Sequence, residues 1–302
     1  MTVCITAIAA DSRAIVCIAD RALTYAGFGA NSETDSGVTK IVDLPGVNWC
    51  AMFSGEDLTF PKRVLDKVFA ALSVERNGSL AFIESTVKAA FESCWEHEVE
   101  DQILKPNLLT KNDFVSRPAS VQPLDAKLVM KIAEEISEYK QNCSMLFAGF
   151  DNHEAHIFMA STPGRIDPCD WQGFAVVGAG TDAARNQIIW QEYEKGDSLQ
   201  SVLYDVFCAK VATEMIQGVG YAWDWRVLVA GKKPKPLPRK IDNLIDKLWT
   251  IHNRSPFSRK LIKSELAPKA WEKILKDFAT KTLASAKAKS KRSNARKKEG
   301  QP

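Results

Sequence analysis

The sequence lacks the marks of several protein classes. No C-x-x-C pair occurs among its seven cysteines (Cys4, Cys17, Cys50, Cys94, Cys143, Cys169 and Cys208), and the count is odd. That argues against both a disulfide framework and a zinc ribbon. Several of these cysteines sit inside apolar runs such as Val3-Cys4-Ile5 and read as reduced core residues of a cytoplasmic protein. No uncharged apolar run approaches the ~18 residues needed to cross a bilayer, and no charged segment followed by an apolar one opens the chain, so no membrane role is expected. His153-Glu-Ala-His156 lacks the spacing of a zinc helix, and His97 lies among Glu96, Glu98, Glu100 and Asp101 on an acidic helix face. G-x-S-x-G and glycine-rich phosphate loops are missing too, so the expected chemistry uses neither a metal nor an organic cofactor.

What is present is an ordinary globular composition: 302 residues, 45% apolar and 25% charged, with mean hydropathy −0.18. Such a length buries a core without covalent staples and suits one large domain or two small ones. The net charge of +3 hides an asymmetry. Residues 1–230 hold 19 basic and 31 acidic residues, whereas residues 231–302 hold 21 basic and 6 acidic ones. An acidic body of 1–230 followed by a basic helical extension of 231–302 is the expected organisation.

Thr2–Ala9 and Ala14–Ala19 are β-rich runs joined by the polar turn Asp11-Ser-Arg13, which predicts a hairpin. A loop is expected over Tyr25–Gly37. Val38–Val42 and Trp49–Phe53, separated by Pro45-Gly46, read as a second antiparallel pair. From Asp57 the apolar spacing becomes helical, first through Leu72 and again from Phe82 to Cys94. Residues from about 105 to 140 read as an insertion, with a proline-containing loop (Pro106, Pro118, Pro123) and a helix over Leu124–Tyr139. Strand patterns return at Ser144–Phe150, Ala155–Ala160 and Phe174–Val177. Helices are expected at Thr181–Tyr193 and Ser198–Ile216, and a last strand at Trp223–Val229. This grouping predicts an α+β protein, a four-layer αββα sandwich of two antiparallel sheets with helices on both outer faces. Beyond Ala230, the run Lys232–Pro238 reads as a stiff linker. Short amphipathic helices around Leu244 and Ile274 and a disordered basic tail over Lys281–Pro302 follow.

Thr2 follows Met1, which is normally removed before so small a residue. A free amino-terminal threonine carries a nucleophilic hydroxyl and, in its own α-amine (pKa about 7.7–8.0), a base. Further motifs follow in order: Val16–Thr24 with Asp20-Arg21, then Thr39-Lys40-Ile41, then Phe53-Ser-Gly55-Glu-Asp57. Leu146–Asp151, Thr162-Pro-Gly164, Phe174–Gly180 with Ala183-Ala184, and Val219-Gly220 come later. This series resembles proteasome β-type subunits and their bacterial relatives, members of the amino-terminal-nucleophile hydrolase superfamily, over most of residues 2–230.

The resemblance implies that Thr2 is the nucleophile and Asp20 the aspartate beside the lysine. It implies further that the positive charge of Lys40 lowers the proton affinity of the threonine site, and that the Gly55 N–H stabilises the oxyanion. Asp224 matches an aspartate near the last strand. Two positions depart from the pattern: Ala179 stands between Gly178 and Gly180 where a serine is usual, and Val227 stands where a second serine is expected. The implied activity is that of a threonine peptidase acting on peptides or proteins without a cofactor. Assembly into a homo-oligomeric ring is implied as well, with an ATP-dependent unfoldase among the allowed partners. An amidase acting on a small molecule would use the same chemistry.

A second reading is a catalytically inactive protein of the same fold that serves structure or assembly and binds a partner through the basic tail. In that case Asp20-Arg21 is a strand-end ion pair, Lys40 a solvated strand residue and Gly55 a turn glycine before a helix capped by Ser54. Nucleic acid could meet Lys and Arg in the tail, which lacks the aromatic residues that stack on bases.

Overall fold

The computed structural model describes residues 2–27, 30–35, 39–55, 58–115, 125–139, 141–216 and 219–252, with the side chains of 23–38 and 251–252 excepted. Met1, Pro118, Pro123, the helix expected around Ile274 and the basic tail lie outside the described residues. The chain divides into two units, residues 1–245 and 246–302. The described part of the second, residues 246–252, is helical.

Eleven strands and seven α-helices are named among the described residues. The strands are β1 (Val3–Ala9), β2 (Ala14–Asp20), β3 (Ala22–Gly27), β4 (Ala30–Asp35), β5 (Ile41–Asp43), β6 (Trp49–Gly55), β7 (Cys143–Asp151), β8 (Glu154–Ser161), β9 (Arg165–Pro168), β10 (Phe174–Gly178) and β11 (Trp223–Val229). The helices are α1 (Thr59–Val74), α2 (Leu80–Val99), the single turn α3 (Lys111–Val115), α4 (Ala126–Glu138), α5 (Thr181–Trp190), α6 (Leu199–Ala212) and α7 (Arg239–His252). One antiparallel sheet has the order β10-β1-β2-β11 and another β5-β6-β7-β8-β9, while β3 and β4 form a separate hairpin.

Alternation along the strands builds the layers. Cys4, Ile8, Ile15, Cys17 and Ala19 of the first sheet pack on Ile41, Cys50, Met52, Leu146, Ala148 and Ile157 of the second. The opposite face of the second sheet, through Trp49, Ala51, Phe53, Met145, Phe147 and Phe158, is covered by α1 and α2. α6 covers the outer face of the first sheet and α5 packs on α6; Phe207 of α6 meets Trp223 of β11 edge-on and stacks on Trp225. The result is the αββα sandwich. Every residue of β1 and β2 is buried, which is why both strands read as continuous apolar runs rather than alternating ones. Among the described residues no helix is long and apolar enough to cross a membrane.

The segment expected to be a loop at Tyr25–Gly37 instead contains most of the β3–β4 hairpin, paired from Ala22↔Asp35 to Gly27↔Ala30. Its second strand, Ala-Asn-Ser-Glu-Thr-Asp, is rich in residues that are rare in strands, so backbone pairing forms it against propensity. Leu58, without a side-chain cap, stands at the N-terminus of α1, so Ser54 does not cap that helix. His153 lies in the β7–β8 turn at positive φ, and His156 pairs with Asp170 at 2.7 Å.

Trp49 lies across β7 where the sequence offers Gly149: a Cβ there would sit 2.1 Å from the indole. The ring is fully buried and its Nε1 donates to the Gly78 carbonyl at 2.9 Å. Gly149→Ala overpacks this contact and is expected to cost about 1–3 kcal/mol, read as a lower midpoint of denaturant unfolding. A wild-type midpoint would contradict the packing described.

Candidate active site

Four strand ends of the first sheet meet where β1 begins. Thr2 precedes β1, Asp20 closes β2, Gly178 closes β10 opposite Val3, and Trp223 opens β11 opposite Asp20. From the second sheet the end of β6 joins them: the Phe53 carbonyl accepts from Cys4 Sγ at 3.4 Å. Lys40 arrives immediately before β5. The chain between Asp20 and Lys40 contains the β3–β4 hairpin.

Lys40 is the centre of the cluster. Its Nζ lies 3.1 and 3.2 Å from the two Asp20 carboxylate oxygens and donates to Thr2 Oγ1 at 2.5 Å. Asp20 is fully buried, Lys40 is 1% exposed and Thr2 is 4% exposed. A lysine in water is thereby excluded, and so is an Asp20–Arg21 pair, since the Arg21 guanidinium binds Asp224 instead. A buried ion pair needs its remaining lone pairs satisfied. Here Asp20 Oδ1 accepts the Val3 N–H at 2.9 Å, and Oδ2 accepts the N–H groups of Ala22 and Gly220, each at 3.1 Å. The carboxylate is held by three elements at once, and it holds the ammonium against the threonine hydroxyl.

That arrangement can stabilise negative charge on Thr2 Oγ1. An ammonium that donates to a hydroxyl lowers the cost of ionising it, most of all where water is excluded. Cys4 offers no competing nucleophile, because burial pushes its thiol well above the ordinary range and only the thiolate attacks.

Gly178 has φ +107, and a Cβ on it would fall 1.9 Å from the Thr2 carbonyl oxygen and 2.9 Å from Ser54 Oγ. The closeness of the backbones at this point depends on that glycine. Gly55 ends β6 opposite Cys143, one residue beyond Ser54, which brings the end of β6 beside the same locus. Asp224 is not part of the cluster. It lies opposite Ala19 on β11 and takes its hydrogen bond from Arg21. Val227 lies three residues further on, opposite Val16 and buried in mid-strand, where an apolar residue packs and a serine would need a partner.

Two contributions to the site left little trace in the sequence. Gly220 acts through its backbone N–H, and the sequence shows it only as part of the Val219-Gly220 pair in the resemblance series, with no role attached to it. Ser54 places its Oγ 2.9 Å from where a Cβ on Gly178 would stand, and it sits beside Gly55. Among the described residues no group of three His, Cys, Asp or Glu side chains is placed to hold a metal ion.

No family model matches the chain, and no curated protein matches it either. Solved structures do. The chain is similar to Anbu (ancestral beta-subunit) from Yersinia bercovieri, with TM-score 0.55 and 13% identity over 82% of this chain and 93% of that one. It is similar also to an Anbu (Gly-1) mutant from Hyphomicrobium sp. strain MC1, with TM-score 0.55 and 14% identity over 85% of this chain and 97% of that one. These likenesses show a proteasome-like fold, the two-sheet sandwich described above. They also correct the resemblance drawn from the sequence: the similar structures are Anbu proteins, a family distinct from the proteasome β-type subunits. Short strand-and-turn motifs are set by positions in the fold, which the two families share.

Proposed function

We propose that this chain is an amide hydrolase that uses Thr2, exposed by loss of Met1, as its nucleophile. The observation that carries the reading is the buried Lys40 Nζ, within hydrogen-bonding distance of both Asp20 and Thr2 Oγ1. In the first step Oγ1 attacks the substrate carbonyl carbon while its proton passes to the Thr2 α-amine. The charge that develops on the carbonyl oxygen is met by the Gly55 N–H. The carbon–nitrogen bond then breaks, the leaving amine takes the proton, and an ester remains on Thr2. Water, deprotonated by the same α-amine, hydrolyses the ester and restores the hydroxyl.

Residues 1–230 form the hydrolase domain in this reading and residues 231–302 a basic extension of it. Copies of the chain assemble with one another, as the name "ancestral beta-subunit", borne by a protein of similar structure, suggests. The seven cysteines are free thiols, which suits the reducing cytoplasm. Peptides or proteins are the substrates.

Ala179 favours a second reading, an inactive protein of the same fold, because no hydroxyl stands there to meet the Thr2 amine. Intact-mass measurement separates the two. The hydrolase should lack Met1 and gain one adduct from a threonine-directed β-lactone, and Thr2→Ala should lose the adduct and at least about a thousandfold in hydrolysis. Retention of Met1, or a Thr2 that stays unmodified, would favour the inactive protein.

A further inference from the structure

A second lysine, on a different element, is buried as deeply as Lys40. Lys210 lies on α6 with no exposed surface, among apolar neighbours that include Val206, Phe207 and Ala209. Its Nζ donates to the carbonyl oxygens of Gly220 at 2.8 Å and Tyr221 at 3.2 Å. It also pairs with Glu214 and lies 4.7 Å from the centroid of the Trp223 ring. Taking an ammonium out of water is costly, and an apolar side chain at such a place is often as stable or more so. The charge is therefore explained better by the geometry it imposes than by stability.

That geometry leads to the candidate site. Lys210 binds the carbonyl of Gly220, and the N–H of the same residue donates to Asp20 Oδ2 at 3.1 Å. Asp20 binds Lys40, and Lys40 binds Thr2 Oγ1. Two residues beyond Tyr221, Trp223 stands opposite Asp20 in the β2–β11 register and packs edge-on against Phe207 of α6. The segment 220–223 is thus held by α6 on one side and holds the carboxylate on the other. We propose that Lys210 is a positioning residue for the Thr2–Lys40–Asp20 cluster, acting through Gly220 to fix the Asp20 carboxylate. This inference rests on the reading of Thr2 as the nucleophile.

Displacement of a catalytic group by about 1 Å can cost on the order of a hundredfold in rate. Lys210 is three contacts away from the ammonium that meets the hydroxyl, and its loss should cost less, about tenfold. The test uses the full chain with two readouts, the rate of β-lactone adduct formation on Thr2 and hydrogen exchange at the Gly220 amide. Folded Lys210→Met should form the adduct about tenfold more slowly and exchange Gly220 about tenfold faster. Lys210→Arg, which keeps the charge and the donors, should recover most of both. A wild-type adduct rate in Lys210→Met overturns the proposal. So does slow labelling while Gly220 stays protected, because the effect then takes another route.

If Lys210→Met does not fold, Glu214→Gln takes its place. It removes only the ion-pair partner of the ammonium and should move both readouts in the same directions, by about threefold; unchanged readouts overturn the proposal. A wild-type chain that forms no adduct defeats the reading of Thr2 instead, and exchange at Gly220 then decides the link to Asp20 by itself.

Discussion

Lys40→Met is expected to slow β-lactone adduct formation on Thr2 by about a thousandfold, the upper end of what loss of a single oxyanion donor costs. The ammonium is the donor to Oγ1 and is almost fully buried, so water cannot take its place. Methionine keeps the unbranched stem of the side chain and removes both its charge and its donors. Breaking a buried ion pair from one side commonly costs about 3–5 kcal/mol. Here the lower end is expected, since three backbone N–H groups still hold the abandoned Asp20. A time course of intact mass combined with denaturant unfolding checks both figures. Lys40→Arg should not rescue the rate, because a planar fork has different reach and donor geometry from an ammonium. A folded Lys40→Met that labels at the wild-type rate would remove Lys40 from the mechanism.

Gly178→Ala is expected to be nearly as damaging, for a reason that involves no charge. The added methyl would meet the Thr2 carbonyl oxygen at 1.9 Å and the carbonyl carbon at 2.7 Å. Both are backbone atoms and cannot swing aside. The φ of +107 adds strain of about 1–3 kcal/mol for any residue with a Cβ. Relief requires β1 and β10 to separate at the Val3↔Gly178 pair, which moves Thr2 away from Lys40. A fall of about a hundredfold in adduct rate follows from a shift near 1 Å. Gly180→Ala is the control: its Cβ would meet the side chain of Thr213 at 2.8 Å and Val3 Cβ at 3.2 Å, and should cost stability more than rate. Equal rates for the two variants would sever Gly178 from the placement of Thr2.

The parts of this protein that could be read in advance are those where a periodic apolar pattern coincides with burial. The β1–β2 hairpin, β6, α1 and α2 are of this kind, and their order is enough to set out two sheets with helices outside. Asp20 and Lys40 were legible as residues, but their contact was implied by the resemblance alone and not by composition or spacing, since it depends on how the β3–β4 hairpin returns the chain. That hairpin was itself hidden, because Ala30–Asp35 has a turn-like composition that gives no strand signal. Asp224 shows the reverse problem. It has the right chemistry near the right strand, but the β2–β11 register puts it opposite Ala19 and in reach of Arg21. Gly220 contributes only an N–H, which every residue but proline possesses, so no side-chain signal could single it out.

The strand order β10-β1-β2-β11 also has a consequence for how the molecule is made. The hairpin that bears Thr2 and Asp20 forms the middle of its sheet, and both flanking strands come from far later in the chain. Gly220, which completes the grip on Asp20, is separated from it by 200 residues. Translation at about 5–20 residues per second leaves the first hairpin waiting at least roughly ten seconds for its neighbours. On the reading of Thr2 as the nucleophile, its cluster therefore closes only once residue 220 has been made, long after the hairpin that bears it.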